Sequence, residues 1–151
     1  MAVADKVGVM LDNRIVQVGG VEDLFRRPSN VQVSRFLGMS NVLPVDSVKD
    51  ELCMVCGEQI HVAGADASIE HIWIGAEEII LSTKPFPSSA RNQLLCTVLD
   101  WESRDLLLAV NLECGELKLT SLITYRSFAE IGIEAGKELY ATFKSSAIHT
   151  L

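Results

Sequence analysis

The stretch Ser88-Ser89-Ala90-Arg91-Asn92-Gln93 precedes an apolar run at residues 94–99 and decides how this chain is interpreted. Small residues stand where a new strand is expected to begin, so a ligand can approach the backbone N–H groups there. Ser89 offers a hydroxyl donor, and Arg91 offers a planar fork of donors suited to an oxyanion. The alternative interpretation is a linker turn with one solvated arginine, because serine clusters are common in turns.

Composition limits the function classes. The chain has 151 residues, 48% of them hydrophobic, which is enough for one domain with a buried core or one small domain with an appendage. Its formal net charge of -7 argues against a general binder of nucleic acid or of anionic membranes. Any anion site must therefore be built locally from a few donors.

The cysteines and the chain start indicate a cytoplasmic protein. No stretch is long and apolar enough to insert into a membrane, and an acid at Asp5 interrupts what would be a signal-peptide core. The four cysteines are therefore expected to be reduced thiols. Cys53 and Cys56 have CxxC spacing, but in a strand these positions face opposite sides, so we interpret them as buried apolar thiols and predict no metal site.

Alternating hydrophobicity predicts a mostly β fold. Residues 94–151 read as strands with two partly apolar faces, as in a closed barrel that also packs on a neighbour. Ser127 and Glu130 have the spacing of a capping box, which predicts a short helix that starts at Ser127 and ends near Gly132. Five or so short strands with one short helix indicate an OB-like β-barrel.

The first half of the chain is also patterned. Residues 7–11 and 14–18 read as strands around an Asp12-Asn13 turn, and residues 21–27 and 31–37 read as helices. Further on, residues 52–55 and 59–62 read as a hairpin around Gly57-Glu58, and residues 69–74 alternate as a strand.

Three motifs resemble the molbindin (TOBE) family, whose small β-barrel modules bind molybdate or tungstate. The first is Ser-Ala-Arg-Asn-Gln at residues 89–93. The second is Leu-Ile-Thr-Tyr-Arg-Ser at residues 122–127, and the third is Phe-Lys-Ser-Ser-Ala-Ile at residues 143–148. The resemblance implies an OB-like barrel with molybdate or tungstate as its ligand; these ions are too alike in size and charge for the sequence to separate them.

The resemblance also implies which residues bind the oxyanion. Ser89 and Arg91 would act at the first strand, Ser127 at the helix start, and Lys144 with Ser145 at the end of the last strand. Backbone N–H groups or positioning contacts would come from Ala90, Asn92 and Ser146. In the family such sites form between subunits, with Ser89 and Arg91 from one chain and Lys144 and Ser145 from another, which implies at least a homodimer.

Each of these residues has a structural alternative. Ser127 can serve only to cap its own helix, and Lys144 can be a solvated side chain. Ser145 and Ser146 can be turn residues, and Arg91 can pair with an acid such as Glu138. The three motifs in family order favour the oxyanion site over these alternatives.

Residues 1–40 resemble the tail of an ABC-transporter ATPase domain, through Met-Leu-Asp-Asn-Arg-Ile-Val-Gln-Val-Gly at residues 10–19 and Leu-Phe-Arg-Arg-Pro at residues 24–28. The chain lacks the phosphate loop, the paired acids that hold magnesium, the signature loop and the switch histidine. We therefore predict no ATP site, no catalytic residues and no enzymatic activity. Gly75-Ala76 replaces the arginine and proline of a related tail motif, so any contact made by that arginine is lost.

Together these features predict three segments: an ATPase-domain remnant at residues 1–40, a first TOBE-like β segment at 41–87 and a molbindin-like barrel at 88–151. The predicted function is a cytosolic molybdate- or tungstate-sensing regulatory domain of an importer's ATP-binding subunit. Its partners would be a second copy and the transporter's ATPase and permease subunits, at the inner face of the membrane. The alternatives are a stand-alone oxyanion store and a purely structural dimerisation module.

Overall fold

The computed structural model describes residues 7–11, 13–19 and 40–151. The first two ranges form an antiparallel hairpin of β1 (Val7–Leu11) and β2 (Arg14–Gly19). Asn13 adopts a left-handed φ of 62°, a conformation that asparagine tolerates in tight hairpin turns. The hairpin confirms the prediction for these residues. The helices predicted at residues 21–27 and 31–37 lie outside the described residues, and no ATPase-domain remnant is evident in the described part of residues 1–40.

Short strands fill the next segment: β3 (Val42–Pro44), β4 (Ser47–Lys49), β5 (Leu52–Val55), β6 (Glu58–His61), β7 (His71–Ile74) and β8 (Ile80–Ser82). Strands β4, β5 and β6 form one antiparallel sheet. The turn between β5 and β6 is made by Cys56 and Gly57, with φ values of 49° and 85°, so it lies one residue earlier than the predicted Gly57-Glu58 turn. A 3-10 turn at Ala76–Glu78 leads into β8.

The last segment carries the long strands: β9 (Asn92–Arg104), β10 (Leu107–Cys114), β11 (Leu117–Thr124), β12 (Glu138–Phe143) and β13 (Ile148–Thr150), with helix α1 (Tyr125–Ile131) before β12. A five-stranded antiparallel sheet has the order β11-β10-β9-β12-β8, and a three-stranded sheet has the order β13-β7-β3. Strand pairing in the described residues therefore leaves the five-stranded sheet open, and the expected closed barrel is not seen. Within residues 40–151, the mostly β class with one short α-helix is confirmed.

The segments at residues 41–87 and 88–151 share their sheets. Strand β8 of the first pairs with β12 of the second, and β13 of the second pairs with β7 of the first. One hydrophobic cluster joins both, with Val55, Ile72, Leu112 and Phe143 each at most 1% exposed. Burying side chains of this kind stabilises a fold by about 1.5 to 3 kcal/mol each. The two segments therefore fold around a common core.

The cysteines differ from the prediction of reduced thiols. Cys96 of β9 and Cys114 of β10 are joined by a disulfide, with their Cα atoms 4.5 Å apart. Cys96 precedes Thr97 and Cys114 follows Glu113, and because Thr97 and Glu113 are registered partners, the antiparallel register places the two cysteines opposite each other. A separation of 18 residues hides this pairing from any local pattern. Cys53 is buried and free, as predicted, whereas Cys56 is half-buried and lies in the turn after β5 and not in a strand.

Reducing the Cys96–Cys114 disulfide should destabilise the protein. The chain-entropy model gives about 3 kcal/mol for a closed loop of this length, because the cross-link restricts the unfolded chain. Urea unfolding followed by tryptophan fluorescence, with and without dithiothreitol, measures the difference in free energy of unfolding. The double variant Cys96→Ala/Cys114→Ala is the control, since dithiothreitol should leave its stability unchanged. Equal stability of the parent protein in both conditions would contradict this expectation.

Helix α1 begins earlier than the predicted capping box. Its N-cap is Thr124, whose side-chain oxygen accepts the backbone N–H of Ser127 at 3.1 Å. The expectation that Ser127 starts the helix is therefore wrong: Ser127 occupies the third helical position, where its own N–H needs a cap. The C-terminus agrees with the prediction, because Gly132 closes the helix in the left-handed conformation with a φ of 70°.

Candidate functional site

The stretch before β9 is short and exposed on one side. Ser88 and Ser89 are exposed, Ala90 is half-buried, and the Ala90 N–H donates to the Ser88 hydroxyl oxygen at 3.2 Å. This bond uses a lone pair of that oxygen, so it leaves the Ser88 O–H proton available to donate elsewhere. The turn thus presents two hydroxyl groups on small residues, as the sequence indicated.

A small cavity of about 140 Å³ lies between this turn and the ends of β8 and β12. Its wall is formed by Glu78, Ile80, Phe86, Ser88, Ser89, Ala90, Thr142, Phe143 and Lys144. Three of the predicted site residues, Ser89, Ala90 and Lys144, therefore meet at one cavity. They do so within a single chain, whereas the family resemblance assigned Ser89 and Lys144 of one site to different chains.

Two charged side chains of opposite sign line this cavity. Lys144 is exposed and has no ion-pair partner in residues 40–151. Glu78 is exposed as well and is the last residue of the 3-10 turn at Ala76–Glu78. An ammonium group without a carboxylate partner can donate charge-assisted hydrogen bonds to an anionic ligand. The cavity wall therefore carries one cation and several hydroxyl donors. It also carries one carboxylate, which would repel an anion.

Asn92 has a structural role that the sequence did not reveal. Its side chain is 2% exposed and bonds both backbone groups of His61. The His61 N–H donates to Asn92 Oδ1 at 2.8 Å, and Asn92 Nδ2 donates to the His61 carbonyl at 2.9 Å. This pair of bonds ties β9 to the end of β6. The Asn92 side chain is therefore committed to the fold, and it is not on the cavity wall.

The remaining predicted residues lie outside the cavity wall. Arg91 is exposed, and neither Glu138 nor any other described acid forms an ion pair with it. Ser127 is in the first turn of α1, where its hydroxyl oxygen accepts from Thr124 Oγ1 at 3.0 Å. Ser145 and Ser146 form a 3-10 turn directly after Lys144, and the Ser145 carbonyl accepts the Ala63 N–H.

Thr142 and Phe86 are cavity residues that the sequence reasoning did not select. Thr142 precedes Lys144 by two positions, and alternation places both on the same side of the chain where β12 ends. The two-residue spacing from Lys144 therefore predicts that Thr142 lies near the same site. Phe86 lies within the proline-containing connector, between Pro85 and Pro87, and no local pattern indicates that it lines the cavity.

No group of three or more metal-binding side chains occurs in residues 40–151. Cys53 lies in the core, and burial raises the pKa of its thiol because the interior disfavours the thiolate. No helix in the described ranges is long and apolar enough to cross a membrane.

A second, larger groove of about 380 Å³ lies beside β9, β10 and β11 and contains none of the predicted site residues. A chain of hydrogen bonds forms one side of it. Thr120 donates to Asn111 at 2.8 Å, and Asn111 donates to Asp100 at 2.6 Å. The Asn41 side chain extends this chain of hydrogen bonds. Its Oδ1 accepts the backbone N–H of Thr120, and its Nδ2 donates to the Thr120 carbonyl. Asn41 thereby pairs with the free edge of β11, as a neighbouring strand would.

Comparison with known proteins identifies the domain. A family model described as TOBE domain matches residues 88–150. The molybdate/tungstate import ATP-binding protein WtpC of Pyrococcus abyssi is 38% identical over 148 residues, which are 98% of this chain and 43% of that protein. WtpC of Pyrococcus horikoshii is 35% identical over 150 residues, which are 99% of this chain and 43% of that protein. The chain thus spans less than half the length of these relatives, and their ATPase domain is not covered.

A solved structure shows the same fold. The cytoplasmic molybdate-binding protein ModG, crystallised with molybdate bound, superposes with a TM-score of 0.63 over 74% of this chain and 95% of ModG. The two sequences are 23% identical, so this likeness concerns the fold alone. Residues 88–150 match the TOBE domain family, and the chain is homologous to the C-terminal region of molybdate/tungstate import ATP-binding proteins.

Proposed function

We propose that this chain binds molybdate or tungstate and acts as the regulatory domain of an oxyanion importer's ATP-binding subunit in the cytoplasm. The observation that carries the proposal is the cavity at which Ser88, Ser89 and Ala90 meet the unpaired Lys144. Filling this site would report the intracellular oxyanion concentration to the transporter. The names of the sequence relatives support this ligand class, since both are molybdate/tungstate import proteins.

The donor set suits a tetrahedral dianion. Such an ion carries only acceptor oxygens, so it needs several hydrogen-bond donors and a modest countercharge. The cavity supplies serine hydroxyls and the Lys144 ammonium group, and these do not require a metal or a nucleophile. The net charge of -7 makes a local cation important, because it offsets repulsion from the rest of the chain.

We propose further that a second copy of the chain completes the site. Ile80 is 55% exposed and Leu95 is 50% exposed. Tyr140 pairs with Leu95, and Thr142 pairs with Ile80, so these side chains lie on one face of the β8, β12 and β9 strands beside the cavity. Covering this face in a homodimer would bury the apolar side chains. Arg91 and Ser127, which are off the cavity wall in one chain, are the residues a partner copy would contribute.

Equilibrium dialysis against sodium molybdate tests the proposed function, with sodium sulfate as the competing anion and multi-angle light scattering to give the oligomeric state. We expect saturable molybdate uptake by a folded dimer. Loss of uptake on Ser89→Ala, with an unchanged circular dichroism spectrum, would support the cavity as the site. A folded dimer without saturable uptake would instead favour the structural dimerisation module, and the proposed function would be wrong.

A further inference from the structure

We propose that the hydroxyl group of Thr142, held in orientation by Gln93, is an additional donor to the oxyanion in this cavity. The inference rests on the proposed function and adds a residue that the three sequence motifs do not contain. It also assigns Gln93 a role as a positioning residue, although Gln93 itself is not on the cavity wall.

The position of Thr142 on β12 brings its side chain to the cavity. In the sheet register Thr142 lies between Gln93 of β9 and Ile80 of β8. Thr142 as a residue is 1% exposed, yet it contributes to the cavity wall together with Lys144. Because Thr142 and Lys144 are two positions apart, they lie on the same side of the chain where β12 ends.

The direction of one hydrogen bond leaves the Thr142 proton available. Gln93 Nε2 donates to Thr142 Oγ1 at 3.0 Å. A threonine hydroxyl has one O–H donor and two acceptor lone pairs, so this bond occupies a lone pair and leaves the donor unused. No described residue accepts that proton. An oxygen atom of an oxyanion in the cavity would accept a hydrogen bond from the Thr142 O–H group.

Burial distinguishes Thr142 from the serine hydroxyls of the same cavity. Ser88 and Ser89 are exposed, so water satisfies their donors when no ligand is bound. Thr142 is one of three polar residues in the buried set of the described chain, where an unused donor carries a desolvation cost. A bound oxyanion relieves that cost, and a hydrogen bond to a charged acceptor is stronger than one between neutral groups.

Titration calorimetry with sodium molybdate tests the inference on the full chain. Thr142→Val keeps the shape of the side chain and removes the hydroxyl, so the dissociation constant should rise by about tenfold. Thr142→Ser is the matched control, because it keeps the hydroxyl and should remain within about threefold of the parent. Unchanged affinity in a folded Thr142→Val variant would overturn the inference. Absence of molybdate binding by the parent would instead overturn the proposed function.

A double-mutant cycle separates positioning by Gln93 from a general structural effect. Gln93→Leu should weaken molybdate binding by about threefold, because the Thr142 hydroxyl loses the partner that orients it. If Gln93 acts through Thr142, the Gln93→Leu/Thr142→Val variant should bind no more weakly than Thr142→Val alone. Additive losses would contradict the positioning role. If Thr142→Val does not fold, Thr142→Ala decides, since it also removes the hydroxyl and parental affinity in that folded variant would overturn the inference.

Discussion

Replacing Lys144 with alanine should raise the dissociation constant for molybdate by about 10- to 100-fold, because a charge-assisted hydrogen bond contributes about 1.5 to 3 kcal/mol. Lys144 is the cationic residue on the wall of the cavity, and no ion pair with a described acid competes for its ammonium group. Titration calorimetry of the parent and of Lys144→Ala measures the change. A circular dichroism melt shows whether the variant is folded.

Lys118 provides a matched control for this substitution. It is also an exposed lysine, but it lines the larger groove beside β10 and β11. Lys118→Ala changes the net charge by the same amount and should leave molybdate affinity within about twofold, since Lys118 is not on the wall of the small cavity and salt screens charges that do not contact the ligand. Equal losses in both variants would mean that overall charge, and not the cavity, governs binding.

Arg91 tests whether two chains share the site. Its guanidinium group is exposed and off the cavity wall within one chain. Arg91→Ala should therefore weaken molybdate binding only if a partner copy brings Arg91 to the ligand. The double variant Arg91→Ala/Lys144→Ala should abolish binding without unfolding the domain. Parental affinity in the double variant would show that the assigned site is wrong.

Substituting Asn92 with alanine should destabilise the protein by about 2 to 4 kcal/mol, because it leaves both backbone groups of the half-buried His61 without their Asn92 partners. Urea unfolding measures this loss. The molybdate affinity of the remaining folded protein should stay within about threefold of the parent, since the Asn92 side chain is bonded to His61 and not directed to the cavity.

Asn111→Ala is the matched control for this substitution. Asn111 also bonds two partners, Asp100 and Thr120, but it lies on a half-exposed face where water replaces the lost bonds. Its loss should cost about 1 kcal/mol. A large loss of affinity in Asn92→Ala without a loss of stability would contradict the structural role and return Asn92 to the ligand-binding set.

The sequence alone determined the features that depend on neighbouring residues. Alternation located the long strands at the end of the chain, and the Asp12-Asn13 and Gly132 positions marked a hairpin turn and a helix end. The motifs selected Ser89, Ala90 and Lys144, which the fold brings to one cavity. Such features are readable because side-chain periodicity and backbone conformation are set within a few residues.

Only the tertiary structure decided which distant residues meet. Asn92 reaches His61 across 31 positions, Cys96 pairs with Cys114, and Thr142 receives its hydrogen bond from Gln93 across 49 positions. The expected closed barrel became an open five-stranded sheet for the same reason. Strand order and register depend on the free energy of contacts between remote segments, which a local pattern does not contain.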